Sequence, residues 1–396
     1  MKALLLENIH PEGVRILRDR GFEVEVRDDA LGEADLIEAL RGVDVLGIRS
    51  TTQVTAAALR AAPRLQAIGA FCIGTNQIDL QAATAAGVAV FNAPYSNTRS
   101  VVELAVAEII ALARRLVDQS AFMHAGVWNK SARGSHEVRG RTLGIVGYGS
   151  IGSQLSVLAE SLGMRVFFYD IVDRLALGNA VRCDSLEELL ESVETVSVHV
   201  DGRPANRNLF GDAEFARMRP RSLFLNLSRG FVVDDEALAR HLRSGHLAGA
   251  ALDVFPSEPK ANDEEFVSPL RGLPNVILTP HVGGSTLEAQ ANIGQFVAGK
   301  LAEFVASGTT VLSVNLPQVQ AGPPGERRLL HLHANVPGVM ATINRIVAEV
   351  GANVDAQQLA TRGEVGYAVL DIDADASEDV LAALRAMPEA IRVELR

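Results

Sequence analysis

The stretch that most restricts what this chain can become is Leu143–Gly152. An apolar run, Leu143-Gly144-Ile145-Val146, passes straight into Gly147-Tyr148-Gly149-Ser150-Ile151-Gly152, where a helical pattern begins. Glycines at this spacing between a strand and a helix serve a backbone that turns sharply and is approached closely. Gly147 permits the tight turn, Gly149 leaves the main chain open to a pyrophosphate, and Gly152 lets the helix pack against the strand. Ser150 and Ile151 open that helix, whose N-terminus faces the phosphate charge. The next apolar run, Arg165–Tyr169, ends at Asp170, about twenty residues beyond the glycines. A carboxylate there accepts hydrogen bonds from ribose hydroxyls and repels a 2′-phosphate, so the pattern favours NAD over NADP.

Around this nucleus the chain alternates strand-like and helix-like segments. Ala3–Leu6, Val24–Val26, Val45–Ile48, Gln66–Ala70 and Val88–Phe91 read as strands with helical patterns between them. That alternation implies a parallel sheet with right-handed crossovers. A long apolar helix, Ser100–Val117, and a polar stretch, His124–Gly140, follow. A second strand–helix series runs from Thr142 to Leu278, and a helix is expected over Ser285–Ala306. Apolar periodicity stops in the Pro- and Gly-rich segment 317–328, which reads as a linker. The remaining residues give strand, helix, strand, strand, helix, strand, a ferredoxin-like order. The expected fold class is α/β, with two doubly wound parallel-sheet domains and a small C-terminal ferredoxin-like domain.

A net charge of −11 argues against a general nucleic-acid or membrane-surface binder. Cys72 and Cys183 have no metal-ligand spacing and read as reduced thiols; no metal is expected. The first residues lack the apolar length of a signal peptide, and no run suits a membrane span, so a cytoplasmic protein is expected. The single tryptophan, Trp128, lies in a polar stretch and is either a loop residue or a subunit anchor.

Oxidation of a secondary alcohol needs a proton acceptor and a cation for the substrate anion, beside the hydride-accepting ring. Candidates stand at the carboxyl ends of successive strands, where open α/β sheets bind ligands. Arg229 follows Leu225-Asn226-Leu227-Ser228, Asp253 ends Ala250-Ala251-Leu252, Glu258 lies in Phe255-Pro256-Ser257-Glu258-Pro259, and His281 follows Leu278-Thr279-Pro280. A guanidinium holds a carboxylate bidentately. An imidazole carries protons near neutral pH, and a neighbouring carboxylate raises its pKa.

With those residues in place the chain resembles the D-3-phosphoglycerate dehydrogenases of the D-2-hydroxyacid dehydrogenase family, in their short bacterial form with a C-terminal ACT domain. The resemblance spans essentially the whole sequence. It is carried by Phe71–Gln77, Phe91–Ser100, Gly147–Gly152, Asn226–Gly230, Asp253–Pro259 and Thr279–Ser285. It implies a discontinuous substrate domain, 1–97 with 283–316, an inserted NAD domain, 98–282, the linker 317–328, and an ACT domain, 329–396. It implies cofactor contacts at Gly147, Gly149, Ser150, Ile151, Gly152, Asp170, Leu227, Ser228, Arg229, Asp253, His281, Val282, Gly283 and Gly284. Arg229, Glu258 and His281 would be catalytic. Arg49, Ser50, Asn97 and Arg229 would bind substrate.

The implied reaction is NAD-dependent oxidation of 3-phospho-D-glycerate to 3-phosphohydroxypyruvate, opening L-serine biosynthesis. In the ACT domain the resemblance places an L-serine site at His333, Asn335 and Asn353, between paired copies of a homotetramer. His331, His333 and Asn335 alternate along one strand and share a face. Three alternatives stay open: another 2-hydroxy acid such as D-2-hydroxyglutarate, an NAD sensor without catalysis, and an amino-acid-binding regulator. The complete Arg229, Glu258 and His281 set argues against the sensor.

Overall fold

A parallel strand covered on both faces needs apolar side chains throughout, and the N-terminal sequence supplies such runs. In the computed structural model, which describes residues 1–259, 263–322, 327–373 and 377–396, they become β1 (Lys2–Leu5), β2 (Glu23–Val26), β3 (Val45–Ile48), β4 (Ala67–Ala70) and β5 (Ala89–Phe91). They form a parallel sheet in the order β2-β1-β3-β4-β5. β3 and β4 are buried throughout, whereas β2, Glu-Val-Glu-Val, stands at the edge and keeps half its positions charged.

The chain forms two units, Met1–Ser96 with Gln290–Arg396, and Asn97–Ala289. The second boundary lies beyond the expected 282/283. Val282 and Gly283 donate backbone N–H bonds to Asp253, and Thr286 is 2.8 Å from Ser100 through their hydroxyls. These bonds hold 282–289 to the second unit.

That second unit contains β6 (Thr142–Val146), β7 (Arg165–Tyr169), β8 (Val181–Arg182), β9 (Thr195–Val198), β10 (Ser222–Asn226), β11 (Leu247–Leu252) and β12 (Val276–Leu278), in the order β12-β11-β10-β9-β6-β7-β8. All pairings are parallel. Strand order reverses between β6 and β9, and at such a switch point the strand carboxyl ends leave a crevice. The expected single helix Ser100–Val117 is two: Thr98–Arg114, then Leu116–His124 after Arg115, whose φ of 51° breaks the run. The second carries helix past the expected end at Val117 to His124, the first residue of the polar stretch; periodicity does not reveal the left-handed residue between the two.

The C-terminal strands β13 (Arg327–Ala334), β14 (Val354–Arg362), β15 (Val365–Ile372) and β16 (Ala390–Leu395) pair antiparallel in the order β14-β15-β13-β16. Helices Val339–Val350 and Ser377–Arg385 cover one face, over Leu329, Leu370 and Ile372. Leu330, Leu332, Tyr367 and Val369 on the other face join the same core as Phe304, Leu316 and Val319. The expected linker therefore changes character. Its first part packs, with Val319 and Ala321 buried and Thr310 N–H bonded to the Val319 carbonyl, while β13 starts already at Arg327; residues 323–326 lie outside the described ones. Arg328, 2% exposed, donates to both oxygens of Asp371 at 2.6 and 2.7 Å and to the carbonyls of Ser307 and Gly322. His331 and His333 are buried, not presented to water: they take the helix-covered face that Leu329 begins.

Among the described residues no helix is long and apolar enough to cross a membrane.

Candidate active site

β6 delivers the chain into the glycine turn. Gly147 has φ 92°, and a Cβ on it would lie 2.7 Å from the His199 carbonyl oxygen. A Cβ on Gly152 would lie 2.3 Å from the Gly147 carbonyl oxygen, so the helix Ser150–Ser161 approaches the turn at backbone distance. Around Gly149 the space a Cβ would enter is open to 4 Å. That opening at a helix N-terminus suits a phosphate group. Asp170, at the end of β7, is fixed by accepting the Tyr148 N–H at 2.8 Å and the Val172 N–H at 2.9 Å.

Three further strand ends carry the polar set. After β10, the Asn226 side chain accepts from Ser228 N–H and O–H at 3.1 and 2.7 Å and donates to the Arg229 carbonyl at 3.1 Å. Leu227 and Ser228 are buried within this turn, and Arg229 Nη1 donates to the Ser228 carbonyl at 2.7 Å. A Cβ on Gly230 would stand 1.9 Å from the Phe255 carbonyl, so the loops after β10 and β11 touch main chain to main chain. After β11, Asp253 is 2% exposed and accepts from the Thr279 hydroxyl at 2.6 Å, Val282 N–H at 2.9 Å and Gly283 N–H at 2.8 Å. One buried carboxylate thus ties down both flanks of His281. Gly284 abuts Asn97, whose Nδ2 would be 2.2 Å from a Cβ there.

His281 has φ 53°, a left-handed conformation that is costly for a residue with a Cβ and is typically retained at functional positions. Its Nδ1 is 2.9 Å from Glu258 Oε2, while Glu258 Oε1 accepts the Phe255 N–H at 3.1 Å. The bond to Glu258 raises the imidazole pKa above its ordinary value, against burial and the Arg229 charge, which lower it. Burial pushes Glu258 upward, but the bonds from His281 and Phe255 N–H outweigh it and leave that carboxyl below its ordinary value. With Nδ1 engaged, Nε2 is the nitrogen left for proton exchange with a ligand.

Arg49 and Ser50 follow β3 in the first unit. Their loop is held by a residue that sequence reading missed. Buried Glu7, at the carboxyl end of β1, accepts Thr51 N–H at 2.9 Å and Thr52 N–H at 2.8 Å, while Gln77 donates to the Arg49 carbonyl at 2.5 Å. The strand-end rule that selects Arg229 and His281 points equally to Glu7. Glu108 was missed too. It is 3% exposed on the buried face of the helix Thr98–Arg114, neither carboxyl oxygen has a hydrogen-bond partner among the described residues, and burial first, then the Asp253 charge, raise its pKa to about 8. A glutamate inside an apolar helical stripe was the available signal. Of the C-terminal trio, Asn335 and Asn353 are exposed and His333 is buried.

The switch-point crevice, the glycine turn and a histidine–carboxylate pair beside an arginine define a nicotinamide-dependent dehydrogenase. Residues 106–283 match the family described as D-isomer specific 2-hydroxyacid dehydrogenase, NAD binding domain, and residues 329–392 match an AHAS small subunit-like ACT domain. Over an alignment of 398 residues the chain is 50% identical to the D-3-phosphoglycerate dehydrogenase of Escherichia coli (strain K12), covering 100% of this chain and 97% of that one. The enzyme of that name from Dictyostelium discoideum is 47% identical, with the same coverage. A Thermus thermophilus protein of known crystal structure superposes with TM-score 0.69 at 31% identity, over 77% of this chain and 97% of that one. The NAD-dependent formate dehydrogenase of Staphylococcus aureus in complex with NAD gives TM-score 0.67 at 27% identity, over 81% of this chain and 100% of that one. The chain belongs to the D-3-phosphoglycerate dehydrogenases, within the D-isomer specific 2-hydroxyacid dehydrogenases, and is an NAD-dependent oxidoreductase.

Proposed function

We propose that the chain oxidises 3-phospho-D-glycerate to 3-phosphohydroxypyruvate. The observation that carries the chemistry is the 2.9 Å bond between His281 Nδ1 and Glu258, on a loop that Asp253 fixes from both sides. His281 Nε2 takes the C2 hydroxyl proton, and Glu258 stabilises the imidazolium that forms. Arg229 binds the substrate carboxylate and favours negative charge developing on the carbonyl oxygen. Arg49, Ser50 and Asn97 complete the substrate contacts. NAD would supply the hydride acceptor; Gly147–Gly152 and Asp170 would hold it, and Leu227, Ser228 and Val282–Gly284 would add contacts, the last of these on a loop that Asp253 fixes.

The substrate rests on the full-length likeness to enzymes named for it. The test is NADH formation from 3-phosphoglycerate beside D-2-hydroxyglutarate. A higher kcat/KM on the latter would move the assignment to the alternative acid.

The ACT domain is proposed as an L-serine sensor, with Asn335 and Asn353 offering polar groups at its surface, while His333 is buried. A self-associating, cytoplasmic enzyme, a homotetramer, is part of this reading. Exposed apolar side chains on and after the helix Leu116–His124, among them Leu116, Met123 and Trp128, support a covered face there. Light scattering gives the copy number. L-serine added to the assay gives inhibition, and Asn353→Ala should weaken it while leaving kcat unchanged.

A further inference from the structure

Glycine turn, Arg229 and His281 all stand at the carboxyl ends of the strands of the second unit. The opposite edge of the same sheet has a recess of its own, lined by Arg115, His136, Arg141, Arg221 and Asn275. Arg141 and Arg221 immediately precede β6 and β10, and Asn275 precedes β12. Arg115 ends the helix Thr98–Arg114.

Two of these arginines hold left-handed backbone, Arg115 at φ 51° and Arg221 at φ 67°. Glycine or asparagine takes that conformation at little cost, whereas a long side chain is strained there. That both strained positions carry a guanidinium, and both line one recess, fits a site that needs the charge more than the relaxed turn.

Neighbouring carboxylates offset two of these three positive charges and leave one in excess. Asp118 pairs with Arg115 at 2.9 Å, but its other oxygen is committed to Asn275 N–H. Glu194 reaches Arg141 only at 3.4 Å, and one of its oxygens is committed to Thr142 N–H. Arg141 Nε is buried with no hydrogen-bond partner among the described residues. Arg221 has a 3.5 Å contact to the Gly245 carbonyl and no carboxylate partner among them. Three guanidiniums thus face two carboxylates, an excess of one positive charge in a chain of net charge −11.

We propose that this recess binds a small tetrahedral oxyanion: inorganic phosphate, or the phosphoryl end of a phosphomonoester. Guanidinium forks match the oxygen spacing of phosphate and bind it bidentately. The recess is about 30 Å³, above the roughly 10–15 Å³ that one water needs, and too small for a nucleoside. The site is separate from the strand ends that carry the dehydrogenase chemistry.

The test is a melting series on the full chain with NAD saturating, so that the glycine turn is already filled. About 20 mM inorganic phosphate should raise the melting temperature by about 2–4 °C over chloride of equal ionic strength. Glycerol phosphate in a parallel arm tells free phosphate from a phosphomonoester. Arg115→Gly and Arg221→Gly relax the backbone, so each should melt higher than the parent in chloride and lose most of the phosphate response. Arg141→Met should lose the response without that gain. No phosphate-specific shift in the parent, or a full shift in all three variants, overturns the assignment. So does loss of self-association in Arg221→Gly without any phosphate response, since the recess would then be a contact between copies.

Discussion

Replacing Glu108 by glutamine should stabilise the protein, and increasingly so as pH rises. In the folded chain its carboxyl pKa is raised to about 8 from an ordinary 4.5, because it is buried without a hydrogen-bond donor and lies near the Asp253 charge. The unfolded chain releases this proton near its ordinary value, and the folded chain holds it. Stability is therefore lost as pH climbs from the lower pKa to the upper one and is not regained above it. Each pH step between the two values costs about 1.4 kcal/mol, so the native state at pH 7 carries a burden of up to about 3 kcal/mol. Glutamine keeps the shape and removes the ionisation, although its amide still lacks partners. A net gain of about 1–3 kcal/mol at pH 7 follows, equivalent to several degrees in melting temperature at about 2–4 °C per kcal/mol. Melting curves of parent and variant between pH 5 and pH 9 test this. The two should nearly coincide at pH 5, diverge through pH 8 and then run parallel. A difference that stays constant with pH, or a parent more stable than the variant at pH 8, refutes the argument.

His281→Ala should lower kcat by about 100-fold or more, as removal of a general base does; near-normal turnover in steady-state assays would contradict the assignment. Because its bond to Glu258 raises the His281 pKa, the rise of oxidation rate with pH should move to lower pH in Glu258→Gln, with a lower plateau; an unmoved profile excludes that role. Glu7→Gln should raise KM for the phosphorylated acid about tenfold with kcat little changed, since one charge-assisted pair of loop bonds is lost; equal losses in kcat and KM for NAD would point to general damage. Arg328→Met, which leaves buried Asp371 unpaired, should cost about 3–5 kcal/mol in denaturant unfolding, and the double variant Arg328→Met/Asp371→Leu should recover most of it.

The pattern of residues along the chain was enough for the α/β class and the glycine turn, and it singled out Arg229, Glu258 and His281 as candidates, of which His281 and Glu258 meet at 2.9 Å. Each of these is a local signal: alternating strand and helix patterns, a strand's apolar run passing into glycines, or a polar residue at or shortly beyond a strand end. The sequence was also enough for the final strand–helix order, which rests on period alone.

Other features depend on what lies opposite. His331 and His333 alternate like a solvent-facing pair, yet both faces of β13 are covered, one by helices and one by the core around Phe304 and Leu316. The segment 317–321 reads as linker by composition and packs because that core has room for Val319 and Ala321. The left-handed backbone at Arg115, Arg221 and His281 leaves no trace in residue type, since L-residues disfavour it and only surrounding contacts impose it. Glu7 at a strand end and Glu108 in an apolar helical stripe were legible as positions, but their roles depended on tertiary structure. A carboxylate's role is set by which donors and charges surround it, and those come from residues distant in sequence, as Thr51 and Thr52 are from Glu7 and Asp253 is from Glu108.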